Sequence, residues 1–326
     1  MQSNADGFRV HEVVCQMTPV ETVNRVIGGL TMTNRNKVDF KAFVEDIQKN
    51  NWNVFGVEVY ENGLLTHSYG DTNDQIHDIY SATKTILSLA VGIAYDRGLI
   101  RLEDSILRYL PSDRVEKMSP SQRKAFQHLT IHRLLTMSVG GFPFRPEGDS
   151  YLDFSLSCVV EHPEEKVFNY SNICVYLVGV ALTEVFQEDL GRVIEEEILK
   201  PLGIIHFEYG RCPEGYFYGA SWMKLTVHEL SQVGLLLCNQ GVYNGKRIVS
   251  EEYVRMATSV QQMNREGGYG FYIWKYRDGF SINGKWKQKC YCLPKRGIMV
   301  TYLSHIEDDS HDLLRSMERN ILGISS

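Results

Sequence analysis

No stretch of this 326-residue chain approaches the roughly 18 consecutive apolar residues that a membrane-crossing helix needs, so no membrane partner is expected. Blocks of lysine and arginine are also absent. With a net charge of −6, general affinity for nucleic acid or anionic lipid is excluded from the expectations. Residues 1–15 are polar, carry Asp6, Arg9 and Glu12, and lack the basic start and apolar run of a secretory leader. The seven cysteines are odd in number and scattered, which argues against a disulfide framework and for reduced thiols. A cytoplasmic location follows as the expectation. Cofactor signals are equally thin. His128 and His132 stand four apart without the glutamate of a zinc helix, and Gly267-Gly268-Tyr269-Gly270 is followed by no helix that would make it a phosphate loop. Cys290 and Cys292 alternate on a strand with no further ligands to complete a metal site. Neither a metal nor an organic cofactor is expected. There are no internal repeats.

What the sequence does contain is an ordered series of helix and strand signals. Phe40, Phe43, Val44 and Ile47 recur at helical spacing, predicting an amphipathic helix over residues 39–49. Two extended runs, 54–60 and 64–68, flank Asn62-Gly63, a strong hairpin pair. Residues 82–94 are small or apolar all round, which marks a buried helix, and Gly98 stands where its end wants a left-handed residue. Capping boxes appear at Ser119 and Thr226, with helices predicted over 173–186 and 190–199. Strand signals return at 271–276, 280–283, 286–292 and 298–303, before a final helix over 309–322. The order implies an α+β fold: an antiparallel sheet flanked by helices, with an all-helical lobe inserted. The expected division is 1–104 with 219–326 for the α/β lobe, and 105–218 for the helical lobe.

Ser81-Ala82-Thr83-Lys84 opens the buried helix. A serine three residues before a lysine puts both side chains on one helix face, about one turn apart. A lysine held away from water loses basicity and can accept a proton from the hydroxyl. Two further pairs share the spacing, Ser121 with Lys124 and Ser221 with Lys224, but the first sits on a short polar helix and the second in a loop. Only Ser81 and Lys84 join the spacing to a buried setting. A structural lysine with a core partner is the competing explanation.

Further motifs follow in order: Ile79-Tyr80-Ser81-Ala82-Thr83-Lys84, then Leu99-Ile100-Arg101-Leu102-Glu103-Asp104, Leu129-Thr130-Ile131-His132-Arg133-Leu134-Leu135-Thr136, Phe168-Asn169-Tyr170-Ser171-Asn172, Pro201-Leu202-Gly203 and Tyr269-Gly270-Phe271. Together they resemble the class C β-lactamase and penicillin-binding esterase family over roughly residues 40–305. The resemblance implies a β-lactamase/transpeptidase-like fold and a serine hydrolase working through an acyl-enzyme. Its implied catalytic residues are Ser81, Lys84 and Tyr170, with either Lys84 or Tyr170 as the base. Asn172 is implied to hold the lysine and a substrate amide. The family's third motif, on the strand lining the cleft, aligns with Lys285-Trp286-Lys287-Gln288. In that register Lys285 keeps the first position, Trp286 replaces a small residue, and Lys287 replaces a glycine. Lys285 and Lys287 would share one strand face toward the serine, and the Gln288 N–H would be an oxyanion donor. The implied partner is a small-molecule or short-peptide substrate: an ester, an amide such as a D-amino-acid amide, or a β-lactam. The altered third motif raises an alternative, a binding or sensor protein on the same fold that stalls at acylation. Asn169-Tyr170-Ser171 also fits a glycosylation sequon, which a place inside the site would rule out of use.

Overall fold

The computed structural model describes residues 38–324; the N-terminal segment read above for a leader lies outside the described residues. The chain begins with α1 (Phe40–Lys49), capped by Asp39, whose carboxylate accepts the Ala42 N–H at 3.0 Å. The hairpin β1 (Val54–Glu61) and β2 (Leu64–Gly70) turns at Asn62-Gly63, both with positive φ as that turn demands. A two-residue strand β3 (His77–Asp78) leads through a 3₁₀ turn, Tyr80–Ala82, into the buried helix α2 (Thr83–Asp96). Gly98 takes the left-handed conformation just past it, at φ +68°.

Short helices then follow: α3 (Ser112–Lys117), α4 (Pro120–Phe126), α5 (Ile131–Leu135) and α6 (Tyr151–Ser157). The Ser119 capping box and the Thr130 cap form as the residue types predict. The buried α7 (Asn172–Phe186) is capped by Ser171, and α8 (Leu190–Ile194) runs on through a wider turn at Glu195–Leu199. Strands β4 (Glu208–Tyr209) and β5 (Met223–Leu225) join β3 in a small sheet, which ties this stretch back to the residues before Ser81. Helix α9 (Val227–Cys238) carries the Thr226 capping box; a hairpin of β6 (Val242–Tyr243) and β7 (Lys246–Arg247) leads to α10 (Glu251–Thr258). Strands β8 (Trp274–Tyr276), β9 (Gly279–Gly284), β10 (Gln288–Leu293) and β11 (Ile298–Ser304) precede the final helix α11 (Asp312–Asn320).

The main sheet has six strands in the order β2-β1-β11-β10-β9-β8, each pairing antiparallel. Alternation along the strands splits the apolar residues between two cores. Val57, Val59, Tyr291, Val300 and Tyr302 face α1 and α11, packing on Phe43, Leu313 and Met317. Ile282, Cys290, Cys292 and Met299 face the other way, into the larger core built with α2, α7 and α9. An antiparallel sheet with helices on both faces is therefore the fold, of the β-lactamase/transpeptidase-like type expected. Two strand expectations fail locally. Residues 271–273 form a tight turn, with Gly270 N–H bonding the Ile273 carbonyl at 2.8 Å and Tyr272 at φ 60°. Residues 285–287 turn as well, as described below.

Candidate active site

Ser81 sits in the 3₁₀ turn at the entry to α2, half-buried, with the helix rooted in the core behind it. The residue before it, Tyr80, has φ 47°, a conformation that costs a non-glycine residue of order 1–3 kcal/mol and persists only where surrounding contacts hold it. Those contacts are visible: the Thr83 hydroxyl donates to the Tyr80 carbonyl at 2.7 Å, and Trp286 meets the Tyr80 ring edge-on at 5.1 Å.

Lys84, one turn on, is buried, with 1% of its surface exposed. Its ammonium reaches the Ser81 hydroxyl at 2.9 Å and donates to the Ala220 carbonyl at 2.6 Å. Among the described residues no carboxylate pairs with it, so burial acts unopposed and pushes its pKa down to about 7. Ala220, in the segment before β5, is a participant that no side-chain motif could have signalled, because only its backbone takes part.

Tyr170 arrives from the loop before α7. Its phenol lies close enough to Ser81 for that hydroxyl to favour the phenolate, and the Lys84 ammonium lies 5.2 Å from its ring centroid. Burial pushes the phenol up to about 12; the Ser81 contact opposes that rise and Glu266 adds to it. Three rings hold Tyr170 in place: Trp274 stacked at 5.6 Å, Tyr269 edge-on at 6.2 Å and Phe144 stacked at 6.4 Å. Its neighbour Asn169 is committed to the fold, donating to the Val139 and Phe142 carbonyls. Asn172 opens α7 beside the Tyr218 phenol, while its Oδ1 is buried and without a partner among the described residues. Its side chain makes no bond to Lys84, contrary to the role implied for it.

The third motif departs most from expectation. Lys285–Lys287 is the turn between β9 and β10, with Trp286 at φ 55° and Lys287 at φ 66°. The two lysines therefore do not share a strand face toward Ser81. Lys285 is exposed and lies over the Trp286 ring at 4.4 Å. Lys287 turns away, pairing with Asp308 at 2.8 Å and donating to the Ser310 carbonyl. The Gln288 N–H already bonds the Lys285 carbonyl, and its side chain exchanges two bonds with Ser304, so it is no free oxyanion donor. The close backbone approach that a glycine permits is made by Gly284 instead: a Cβ there would stand 2.2 Å from the Ile79 carbonyl oxygen. Reading the register from Lys285 displaced this glycine by three residues.

The rival Ser-x-x-Lys pairs lie elsewhere. Ser121 and Lys124 are exposed on α4, and Lys224 pairs with Glu208 at 2.7 Å. His132 packs edge-on against Phe271 and bonds Gln261. Cys290 and Cys292 lie in the core, their sulfurs 3.7 Å apart. No described helix is long and apolar enough to cross a membrane.

The chain is similar to an uncharacterised protein of Alkalihalophilus pseudofirmus, 23% identical over 243 residues, which cover 68% of this chain and 69% of that one. Among solved structures, a protein from Bacillus anthracis assigned as a 6-aminohexanoate-dimer hydrolase superposes with a TM-score of 0.69 at 18% identity, covering 85% of this chain and 79% of that one. A penicillin-binding protein homologue from Caulobacter crescentus gives 0.65 at 15% identity, covering 89% and 98%. These two likenesses speak to the fold. The Beta-lactamase family model matches residues 54–321, a span running from β1 through α11 and holding the serine, the lysine and the tyrosine together, and the chain belongs to that family of serine-hydrolase folds.

Proposed function

We propose that the protein hydrolyses a small ester or amide through an acyl-enzyme on Ser81. One observation carries the reading: a buried lysine, free of any carboxylate and pushed down to about 7, holds its nitrogen 2.9 Å from the Ser81 hydroxyl. Near neutral pH an appreciable fraction of Lys84 is uncharged. It then accepts the Ser81 proton as Oγ attacks the carbonyl carbon. Tyr170 does not suit the role of base, because burial keeps its phenol protonated. Its O–H instead donates to the departing oxygen or nitrogen and is reprotonated by the Lys84 ammonium, which leaves the relay neutral. Water then repeats the cycle on the acyl group.

A fluorophosphonate probe with intact-mass detection tests this. The wild type should gain one adduct, Ser81→Ala none, and Ser121→Ala and Ser221→Ala should label like the wild type. A neutral ester, 4-nitrophenyl butyrate, should be turned over repeatedly. Labelling of the Ser81→Ala protein would overturn the assignment. A stable acyl adduct without turnover would establish the stalled binder instead.

A further inference from the structure

Three free thiols, those of Cys238, Cys290 and Cys292, meet beneath α9. Cys290 and Cys292 share one face of β10, with their sulfurs 3.7 Å apart. Helix α9 comes down on them through Gly234. A Cβ there would stand 2.5 Å from Cys290 Sγ, 2.7 Å from Met299 Sδ and 3.5 Å from Cys292 Sγ. Cys238 follows Gly234 by four residues, one turn further along the same helix face. Met299 stands directly opposite Cys292 on the β10–β11 ladder, and together with Cys238 it lines a surface pocket of about 180 Å³. Two routes, along the helix and across the sheet, thus bring Cys238 beside Cys292.

The three thiols differ in access and in commitment. Cys290 is buried and accepts a hydrogen bond from the Thr301 hydroxyl at 3.3 Å. Cys292 is buried too; burial first, then Cys238 and Cys290 beside it, push its thiol well above the ordinary range, so it stays protonated at neutral pH. Cys238 is half-buried and borders the pocket, which has room for a molecule the size of water or hydrogen peroxide. A reagent from solvent therefore meets Cys238 first. A bond between Cys290 and Cys292 is disfavoured. Two residues apart on an extended strand, their Cα atoms are held about 6–7 Å apart, at the upper end of what a disulfide spans. Cys238 approaches Cys292 from a facing helix and escapes that limit.

We propose that Cys238, Cys292 and the pocket beside them form a peroxide-reactive thiol site, in which Cys238 is oxidised first and Cys292 captures it as an intramolecular disulfide. The Cys238 sulfur attacks one oxygen of hydrogen peroxide. The O–O bond breaks, an S–O bond forms and water leaves, so the sulfur is oxidised to a sulfenic acid and the peroxide is reduced. The Cys292 sulfur then attacks the sulfenic sulfur. An S–S bond forms as the S–O bond breaks, and the hydroxyl departs with the Cys292 proton as a second water. A dithiol reductant reverses the change by exchange. The site is separate from Ser81 and does not depend on the hydrolase reading.

Thiol counting on the full chain tests it. The protein is reduced, freed of reductant, exposed to a few equivalents of hydrogen peroxide, then unfolded and alkylated with iodoacetamide. The oxidised protein should take up two fewer alkyl groups than the reduced protein, and a non-reducing digest should contain a peptide pair joining Cys238 to Cys292. Dithiothreitol should restore both labels. Cys238→Ser should remove the link and Cys290→Ser should keep it. Cys292→Ser should leave Cys238 as a sulfenic acid that dimedone captures. In urea the same pair should form at least about 10-fold more slowly, because the fold no longer holds the two sulfurs together. No loss of labels in the wild type, a Cys290–Cys292 bond in place of the expected pair, or an undiminished loss in Cys238→Ser would each overturn the site.

Discussion

Lys84 holds its nitrogen where water does not reach, and that placement has opposite consequences for chemistry and stability. An ordinary lysine at 10.5 is too strongly protonated to serve as a base near neutrality; at about 7 it is matched to the task. The same shift works against folding. Between pH 7 and 10.5 the unfolded chain binds a proton at this side chain that the folded chain does not, so stability rises with pH across that window. The shift withholds roughly 4–5 kcal/mol at pH 7, whereas a methionine there would strand the Ala220 carbonyl at roughly 1–3 kcal/mol. Lys84→Met is therefore expected to abolish activity, raise the melting temperature at pH 7, and lose that advantage as pH approaches 10. Denaturant melts across pH check this; a difference independent of pH would refute the assigned burial. In the active enzyme, kcat/KM should rise through an apparent pKa near 7. The pairing itself was legible in sequence, because three-residue spacing on an apolar helix leaves little choice of face. The base was not: the balance between Lys84 and Tyr170 depends on which groups surround each, and a phenol that the family resemblance placed near an ammonium is governed by burial.

At the scale of elements, capping chemistry and apolar period were read correctly where they are local. Thr226 and Glu229 close their box, and Leu225 and Leu230 are both buried as the staple pattern requires. The strands β9 and β10 were separated correctly, but the turn between them was placed too early, because Lys285–Lys287 carries none of the usual turn residues. Trp286 and Lys287 occupy left-handed backbone without being glycine or asparagine, so the extended pattern of 286–292 ran straight through it. What holds the turn is tertiary: the Ser304 hydroxyl donates to the Trp286 and Lys287 carbonyls, and Trp286 packs on Tyr80 and His305. Glycine at position 287 would lose the Lys287–Asp308 pair, whose acid partner is exposed, so that solvent screens most of the attraction. It would also relieve a left-handed φ. Lys287→Gly is accordingly expected to leave stability nearly unchanged and the kcat/KM for 4-nitrophenyl butyrate within about twofold of the wild type. A larger change in kcat/KM on that ester would show that this side chain reaches the substrate after all.

Across the whole molecule, the site is assembled from segments that have no local reason to meet. Ser81 comes with the turn into α2 and Lys84 with α2 itself, Ala220 with the segment before β5, and Tyr170 with the loop before α7. Sequence motifs name the first two and the last, but the contacts that bring Tyr170 to Ser81 lie outside every motif's chemistry. Arg133 is the clearest of them. It sits within a recognisable run, yet its work is to bind backbone: only 5% exposed, its guanidinium donates to the carbonyls of His128, Ser138, Pro163 and Glu165. Pro163 and Glu165 belong to the loop that ends at Tyr170, which is also fixed by Asn169 N–H on the Met137 carbonyl at 2.8 Å. Burial lowers the guanidinium's pKa, but the group stays charged because arginine starts so high. Replacing it with methionine keeps most of the volume but leaves the buried Ser138 carbonyl unmet, at about 1–3 kcal/mol, and frees the part-buried carbonyls of His128, Pro163 and Glu165 from their anchor. The loss should not be uniform. Hydrogen exchange is expected to quicken over residues 161–170 and α5, while β1 and β11, buried in the opposite core with α1 and α11, keep their protection. Fluorophosphonate labelling of Ser81 should slow because Tyr170 is no longer held against it, with the 2.9 Å Lys84 contact left in place. Unaltered labelling beside the expected exchange pattern would mean that Tyr170 takes no part in activating the serine.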